Sequence, residues 1–338
     1  GYLSGIQSYF GLAALPLQVG NPNLKWQITQ DKNIGMDLTS FKKRFNLSVD
    51  YFHKVTDPLL ITIDMPLSSG TTQFFTNAGA QITQGVNFST SYQILKNTQR
   101  RLLWSIRVTG RTQKSRLEGI GNKLDKFNAA GRGTSMVRYA DGADPDDIWA
   151  IRSYGIDPST GRELFLTKDG QFTYDFAYPH EVIVGNTRPD LEGIVGSSFT
   201  WGGFTLNLNF RYQFGAEVFN SALRDKVENV DMYQNQDRRA LYDRWHKPGD
   251  VRYFKNIRDN INVSPMSSRF VQTQKSFIAE SVYAAYEFRN GWVKKAGLGN
   301  FRVFASVRDL FQISSMRVER GIDYPFARVI DTGLSFNF

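Results

Sequence analysis

Asp141, Asp144, Asp146 and Asp147 crowd one short stretch, and oxygen donors at that density could hold a hard cation such as calcium. They lack the Asp-x-Asp-x-Asp-Gly spacing of an EF-hand loop, so a solvated acidic loop is the favoured reading and a structural calcium ion the competing one. A second set, Asp231, Asp237, Asp243 and Asp250, shares a segment with Tyr233, Tyr242 and Trp245. Carboxylates beside aromatic rings suit contact with a sugar or a peptide, and they suit a loop packed on a partner protein equally well. Glycoside hydrolysis would need two carboxylates fixed about 5–10 Å apart on rigid elements, and these stand in a long connection. Ser264, Ser267 and Ser268 have no suitable His near them in sequence, and no Gly-x-Ser-x-Gly elbow occurs. Gly119-Ile120-Gly121 lacks the third glycine of a dinucleotide loop. Asp157-Pro158-Ser159-Thr160-Gly161 and Lys168-Asp169-Gly170 are turn chemistry. Cysteine is absent and the three histidines, His53, His180 and His246, are widely spaced, which excludes disulfides, a thiolate nucleophile and a thiolate metal site and disfavours a His-rich one. No enzyme signature is left, and no cofactor other than that calcium ion is expected.

The elements that would position these residues follow from the period of the apolar side chains. Phe204, Leu206, Leu208, Phe210, Tyr212 and Phe214 alternate with Thr205, Asn207, Asn209, Arg211 and Gln213. The same alternation holds for Phe45, Leu47, Val49 and Tyr51, for Val86, Phe88, Tyr92 and Ile94, for Leu102, Trp104, Ile106 and Val108, and for Ile330, Leu334, Phe336 and Phe338. A two-residue period means strands with one apolar and one polar face. Runs of about ten residues exceed the usual globular strand and match what a tilted strand needs to cross a bilayer. No stretch reaches 18 consecutive apolar residues, so no membrane-spanning helix is expected. The start of the chain lacks the pattern of a signal peptide. Aromatics (Trp26, Trp201, Phe204, Phe277, Trp292, Phe338) gather near strand ends, as interfacial girdles require. The formal charge of +9, from 41 Lys and Arg against 32 Asp and Glu, is read as scattered, and nucleic acid is not an expected partner.

Strands are expected near 2–12, 27–40, 45–57, 80–95, 102–114, 190–201, 204–218, 276–289, 301–312 and 326–338. Their connections alternate short and long: Phe41 to Arg44, the basic turn Lys96 to Arg101, Gly202-Gly203 and Asn290 to Asn300 are short, whereas 115–189 and 219–275 are very long. Outer-membrane barrels have short periplasmic turns and long extracellular loops, and a soluble sandwich has no reason to obey that parity. The expected class is therefore all-β, an antiparallel transmembrane β-barrel. Asn207, Asn209, Arg211, Asn87, Ser89, Arg107 and Arg111 should point to the lumen, and Leu206, Leu208, Phe210, Phe88 and Ile106 to lipid. The residues expected to meet a solute in the lumen or a partner protein are Asn207, Asn209, Arg211, Arg107, Arg111, Tyr233, Tyr242 and Trp245.

Several motifs carry a family resemblance. Gly20-Asn21-Pro22-Asn23-Leu24-Lys25-Trp26 with Asn33-Ile34-Gly35-Met36-Asp37-Leu38, the run Asp50 to Leu60, and Asn77-Ala78-Gly79-Ala80 resemble signatures of SusC/RagA-type TonB-linked outer-membrane transporters. Gly185-Asn186-Thr187-Arg188-Pro189-Asp190 and Asp243-Arg244-Trp245-His246-Lys247-Pro248-Gly249-Asp250 are similar to further motifs of that family, in family order. The final loop, Ser314 to Pro325, departs from it by lacking the acidic Asp-Pro-Glu often found there. The resemblance implies the C-terminal part, about ten strands, of a 22-stranded barrel, with plug, TonB box and N-terminal extension outside residues 1–338. It implies an outer-membrane location with the C-terminus periplasmic and the long loops extracellular. The implied partners are a SusD-like surface lipoprotein, the TonB complex and the rest of the barrel and plug, the implied cargo an oligosaccharide or oligopeptide. A passive diffusion pore and a soluble carbohydrate-binding β-sandwich are the competing readings. An unpaired strand edge cannot face lipid, so strand 326–338 should not close on 2–12 if the larger barrel holds.

Overall fold

The computed structural model describes residues 3–8, 11–16, 20–64, 73–259 without 232 and 234, 263–317 without 290 and 296, and 328–337. Two short strands, β1 (Leu3–Ser8) and β2 (Gly11–Pro16), form a local hairpin in register Ser8↔Gly11. The expected long strand 2–12 is thus corrected to a hairpin that, among the described residues, joins no other sheet. Pairing with the next segment in sequence closes a far smaller loop than pairing across a sheet, so a weakly patterned segment folds back on itself.

From β3 onward the long strands build one meander. β3 (Ile28–Ser40) pairs with β4 (Phe45–Asp57); a small hairpin of β5 (Leu60–Asp64) and β6 (Gln73–Asn77) follows; then β7 (Ala80–Asn97) pairs with β4 and with β8 (Leu102–Glu118). The long connection after β8 holds β9 (Asp147–Ala150), β10 (Arg152–Ile156), β11 (Glu163–Leu166), β12 (Phe172–Thr173) and β13 (Val182–Asn186) in two small sheets. The meander resumes with β14 (Leu191–Trp201), β15 (Phe204–Phe219), β16 (Val271–Phe288) and β17 (Asn300–Arg308), adds β18 (Gln312–Ser314) beside β16, and ends with β19 (Val329–Asn337). The strands of the meander all pair antiparallel, so the short links lie at one end of the sheet and the long ones at the other. Nine of the ten expected strands are present. The expected strand 301–312 is interrupted because β16 carries a bulge at Glu280, and Asp309, at φ 51°, turns the chain around it with its N–H on the Glu280 carbonyl (3.2 Å).

Registry settles the faces, since paired residues in a ladder share a side. Asn209, Gly196, Arg107 and Ser91 form one row; Arg211, Ile194, Thr109 and Ser89 form the next; Glu192, Arg111 and Asn87 form a third, all on the same face. Leu208, Ser197, Ile106 and Tyr92 occupy the opposite face, as do Phe210, Leu206 and Phe88. The seven polar and five apolar residues assigned from sequence therefore segregate completely. The apolar face is uncovered: Ile34 is 76% exposed, Ile330 67% and Leu334 60%. An apolar surface spread over nine strands far exceeds what a water-soluble monomer presents, and no second sheet covers it among the described residues, which removes the sandwich reading.

Aromatics on the apolar face band the short-turn end: Phe45, Tyr92, Trp104, Trp201, Phe204, Tyr286, Phe288, Phe301 and Phe336. Phe301 stacks between Phe288 and Phe336, at centroid distances of 5.5 and 6.1 Å. Phe277, expected at a strand end, lies inside β16, stacked on Phe210 at 5.2 Å. It belongs to a second aromatic level with Tyr212 and Phe214. Ten residues separate Phe204 from Phe214, about 34 Å of strand, or roughly 26 Å of height at the usual barrel tilt, the height of an apolar band. Trp26 is 91% exposed beside β3. The side chain of Trp292 and all of Phe338 lie outside the described residues.

Candidate functional site

Two regions offer chemistry: the polar face of the meander and the layer built by the long links above it. On the polar face, short side chains bridge neighbouring strands. The Thr39 hydroxyl donates to Asn46 Oδ1 (3.1 Å) and Ser198 to Asn207 Oδ1 (2.8 Å), while Asn209 Nδ2 donates to Ser281 Oγ (3.0 Å). Charged residues stand among them in both signs. Arg211 pairs with Glu280 at the bulge, Arg308 lies 3.2 Å from Asp331, and the Arg111 guanidinium sits 5.2 Å from the centre of the Phe52 ring. Arg111, Arg211, Glu192 and Asn87 line an open cavity of about 390 Å³. Such a wall can hydrogen-bond a polar solute in many orientations, and it assembles no nucleophile with a base.

Behind that wall the apolar face is drawn tight at one point. Tyr212 lies across Gly193 and Gly110 and donates its hydroxyl to the Thr109 carbonyl (2.9 Å). A Cβ on Gly193 would stand 1.9 Å from that carbonyl oxygen and 2.6 Å from the Tyr212 hydroxyl, so only glycine fits.

The long links form a packed layer with cores of their own. Leu223, Val227, Val230, Ala240, Phe254 and Phe270 make one cluster; Met136, Ile148 and Ala150 make another against Val184, Phe219 and Met266. Arg269, 3% exposed, reaches Glu163 at 2.8 Å and Glu228 at 2.7 Å, and the Ser267 and Ser264 hydroxyls donate to the same two carboxylates. Arg138 holds Glu181 through two nitrogens, at 2.8 and 3.1 Å. These pairs couple residues 41 to 106 positions apart, and no motif in the sequence announces them.

The motif 243–250 is the pin of this layer. Arg244, almost fully buried, donates to the carbonyls of Ala240, Lys255, Val227 and Glu228. Burial lowers its pKa below the usual arginine value, partly offset by Glu228. Burial likewise lowers that of Lys255. Trp245 was expected to face a ligand or lid; it is instead 6% exposed, its indole N–H on the Pro158 carbonyl (2.9 Å) and its ring against Gly161. The Asp157-to-Gly161 segment is a turn, as its composition predicts: Asp157 accepts from Tyr174, Ser159 and Thr160, and these bonds, Tyr174's first, pull its pKa down. Asp250 is lowered by the backbone N–H of His246 and then that of Lys247, and Asp237 chiefly by the Arg239 side chain. Tyr233 (97%) and Tyr242 (62%) do face solvent.

The aspartates of 141–147 are engaged by donors of the protein itself. Asp141 accepts from the N–H groups of Ile120 and Gly121; Asp144 from Ser115 and Asp146; Asp147 from Asp144 and the Asn186 side chain. Arg188 pairs with Asp146 and lies 3.8 Å from Asp144. With these oxygens directed at donors, no group of three or more His, Asp or Glu among the described residues is arranged to hold a metal ion. The motif 185–190 thereby ties the layer to the top of β8.

Comparison with known proteins agrees with this architecture. Residues 2–230 match the family model described as TonB dependent receptor-like, beta-barrel. TonB-dependent receptor P39 of Formosa agariphila is 24% identical over 89% of this chain and 33% of its own length; TonB-dependent receptor SusC of Bacteroides thetaiotaomicron is 23% identical over 94% and 32%. The chain thus spans about a third of the length of the curated relatives it matches. The fold is that of the RagAB peptide importer in its open-open state, with a TM-score of 0.79 at 17% identity over 100% of this chain and 38% of that one. The RagAB peptide transporter gives 0.78 over 93% and 35%, also at 17% identity. These relatives bear out the SusC/RagA resemblance read from the motifs. With its two-faced antiparallel meander and a matched segment of more than half its length, the chain belongs to the TonB dependent receptor-like β-barrel family.

Proposed function

We propose that residues 1–338 are the C-terminal part of the barrel of a TonB-dependent outer-membrane importer that takes up oligosaccharides or oligopeptides together with a SusD-like surface lipoprotein. The observation that carries this reading is the segregated meander. An apolar face about one bilayer high and a polar face bearing Arg107, Arg111, Arg211 and Glu192 are what lipid on one side and a hydrated path on the other demand. β3 and β19, the outermost strands, are not paired with each other among the described residues, which supports a larger barrel completed by further strands. In this reading the short links are periplasmic and the packed layer is extracellular, where exposed Tyr233 and Tyr242 are available to the lid. The plug and TonB box belong to the remainder of the protein.

The test is uptake by cells carrying the full-length protein, with and without TonB, using labelled maltooligosaccharide and peptide pools. Energised uptake that disappears without TonB supports an importer, and the pool that is taken up names the cargo. Uptake that persists unchanged without TonB assigns the protein as a diffusion pore instead. Because this segment contains no cysteine, single cysteines at Asn209 and Leu208 report the faces directly. A water-soluble maleimide should label position 209 and spare position 208 in intact membranes.

A further inference from the structure

We propose that the short-turn edge of the sheet is a binding rim for the headgroups of anionic phospholipids. The rim consists of residues 41–44, 96–101, 202–203 and the described residues of 289–299, the four links that the antiparallel order places at one end. They hold Lys42, Lys43, Arg44, Lys96, Arg100, Arg101, Arg289, Lys294 and Lys295, and no Asp or Glu. Those nine cations equal the chain's whole formal surplus of +9, so the remainder is balanced, 32 basic against 32 acidic residues. The surplus that looks scattered along the sequence is gathered by the fold on one edge.

The geometry fits a lipid surface. Lys42, Lys43, Arg44, Lys96, Arg100 and Arg101 are exposed, and none is in an ion pair among the described residues; Arg289 pairs with Glu287. The hairpins that carry the first six are neighbours, because β4 pairs with β7. Two strand spacings separate them, about 10 Å, close to a Debye length at physiological salt, so their fields overlap. Directly beneath, on the apolar face, lies the aromatic band of Phe45, Tyr92, Trp104, Tyr286 and Phe288. Aromatic rings at headgroup depth with cations immediately beyond them are the arrangement that anchors a protein in an anionic interface. A soluble anionic partner would explain the cations, but the aromatic band beneath them already sets this edge at the depth of lipid headgroups. The proposal rests on the reading that the apolar face meets lipid.

The experiment uses the full-length protein in nanodiscs of phosphatidylcholine with or without phosphatidylglycerol, with retained lipids identified by native mass spectrometry after release. Three proteins are compared: wild type, a rim variant (K42Q/K43Q/R44Q/K96Q/R100Q/R101Q), and a charge-matched control in the long links (K126Q/K168Q/K226Q/K247Q/R252Q/R258Q). One Lys or Arg near an anionic surface weighs about 1 kcal/mol, or about fivefold in partition. Wild type and the control should therefore retain phosphatidylglycerol preferentially, and the rim variant should lose at least about 25-fold of that selectivity, the equivalent of two such charges. Folded electrophoretic mobility of each variant shows that the barrel is intact. Equal selectivity in wild type and rim variant overturns the proposal, as does an equal loss in the control. Stronger retention of lipopolysaccharide than of phosphatidylglycerol, in a parallel set of discs to which it is added, also overturns it. Failure of the wild type to enter nanodiscs at all is read separately, by co-migration with the disc, and refutes the lipid-facing assignment itself.

Discussion

Replacing Arg269 with Met should open the outer layer while leaving the barrel standing. Arg269 is the shared cation of two carboxylates from different links, and Glu228 is fully buried. Its guanidinium also donates to the Tyr253 carbonyl (2.7 Å) and stacks 4.5 Å from the Phe270 ring. Methionine keeps the packing and removes the charge, so Glu163 and Glu228 remain buried with only the Ser267 and Ser264 hydroxyls as donors. Breaking a buried pair in this way costs about 3–5 kcal/mol. Because the layer has its own cores, the loss should appear as local opening, a drop in amide protection of about two to three and a half powers of ten across 220–230 and 250–270. Hydrogen exchange on the full-length protein reads this segment by segment, with β14 and β15 as the internal reference. The triple variant E163Q/E228Q/R269M should recover more than half the loss, since no charge is then buried unpaired. Wild-type protection in R269M would refute the account, and so would a triple variant less protected than R269M.

Three further outcomes follow from the geometry. Gly193→Ala should destabilise the barrel by about 2–4 kcal/mol, combining overpacking with loss of the Tyr212 hydrogen bond, whereas Gly196→Ala, whose Cβ would meet its nearest neighbour at 3.2 Å, should cost less than about 1 kcal/mol; the temperature at which folded mobility is lost compares them. Lys43→Gly should raise that temperature, because Phe41, Lys42 and Lys43 all hold positive φ (51°, 56° and 66°) and relief of one such residue is worth about 1 kcal/mol. Tyr253, pushed up to about 12 by burial, stays neutral in the folded layer while the unfolded chain ionises near 10. Stability is therefore complete below pH about 10 and falls, by up to about 2 kcal/mol, as the pH rises to about 12. Tyr253→Phe should flatten this alkaline decline in a proteolysis series of the outer layer.

What was legible in the sequence is what has a period. Asn207, Asn209 and Arg211 against Leu206, Leu208 and Phe210 could be assigned to opposite faces because a strand repeats every two residues and a one-residue slip would exchange every side chain. Turn composition was equally local: Gly202, with φ 59°, serves the tight link it was expected to serve. The segment 2–12 misled because its few alternations fit either a crossing strand or half of a hairpin, and the choice depends on which partner lies nearest. Trp245 misled for a different reason. An aromatic among carboxylates looks the same in sequence whether it faces a ligand or fills the space above Gly161, and only the return of the chain 87 residues away decides. The Arg269 bridge left no trace, since ion pairs between distant links have no spacing rule.

The extra length of the central strands explains why such a layer can be rigid. β7, β8, β15 and β16 run 18, 17, 16 and 18 residues, well beyond the roughly ten that a crossing needs. The surplus residues stand clear of the apolar band and serve as foundations. Ser115, near the top of β8, gives its N–H to Asp144 and receives an Arg188 hydrogen bond on its hydroxyl. Glu217, near the top of β15, accepts the Asn186 N–H, and Val271, at the start of β16, packs under Met136 and Ile148. The motifs 185–190 and 243–250 thus act on backbone and on each other, the first fastening the layer to the strands and the second locking its two long links together. A wall that must present the same polar face beneath a packed layer needs this division: periodic strands to separate lipid from water, and aperiodic buried charge to hold the links in one arrangement above them.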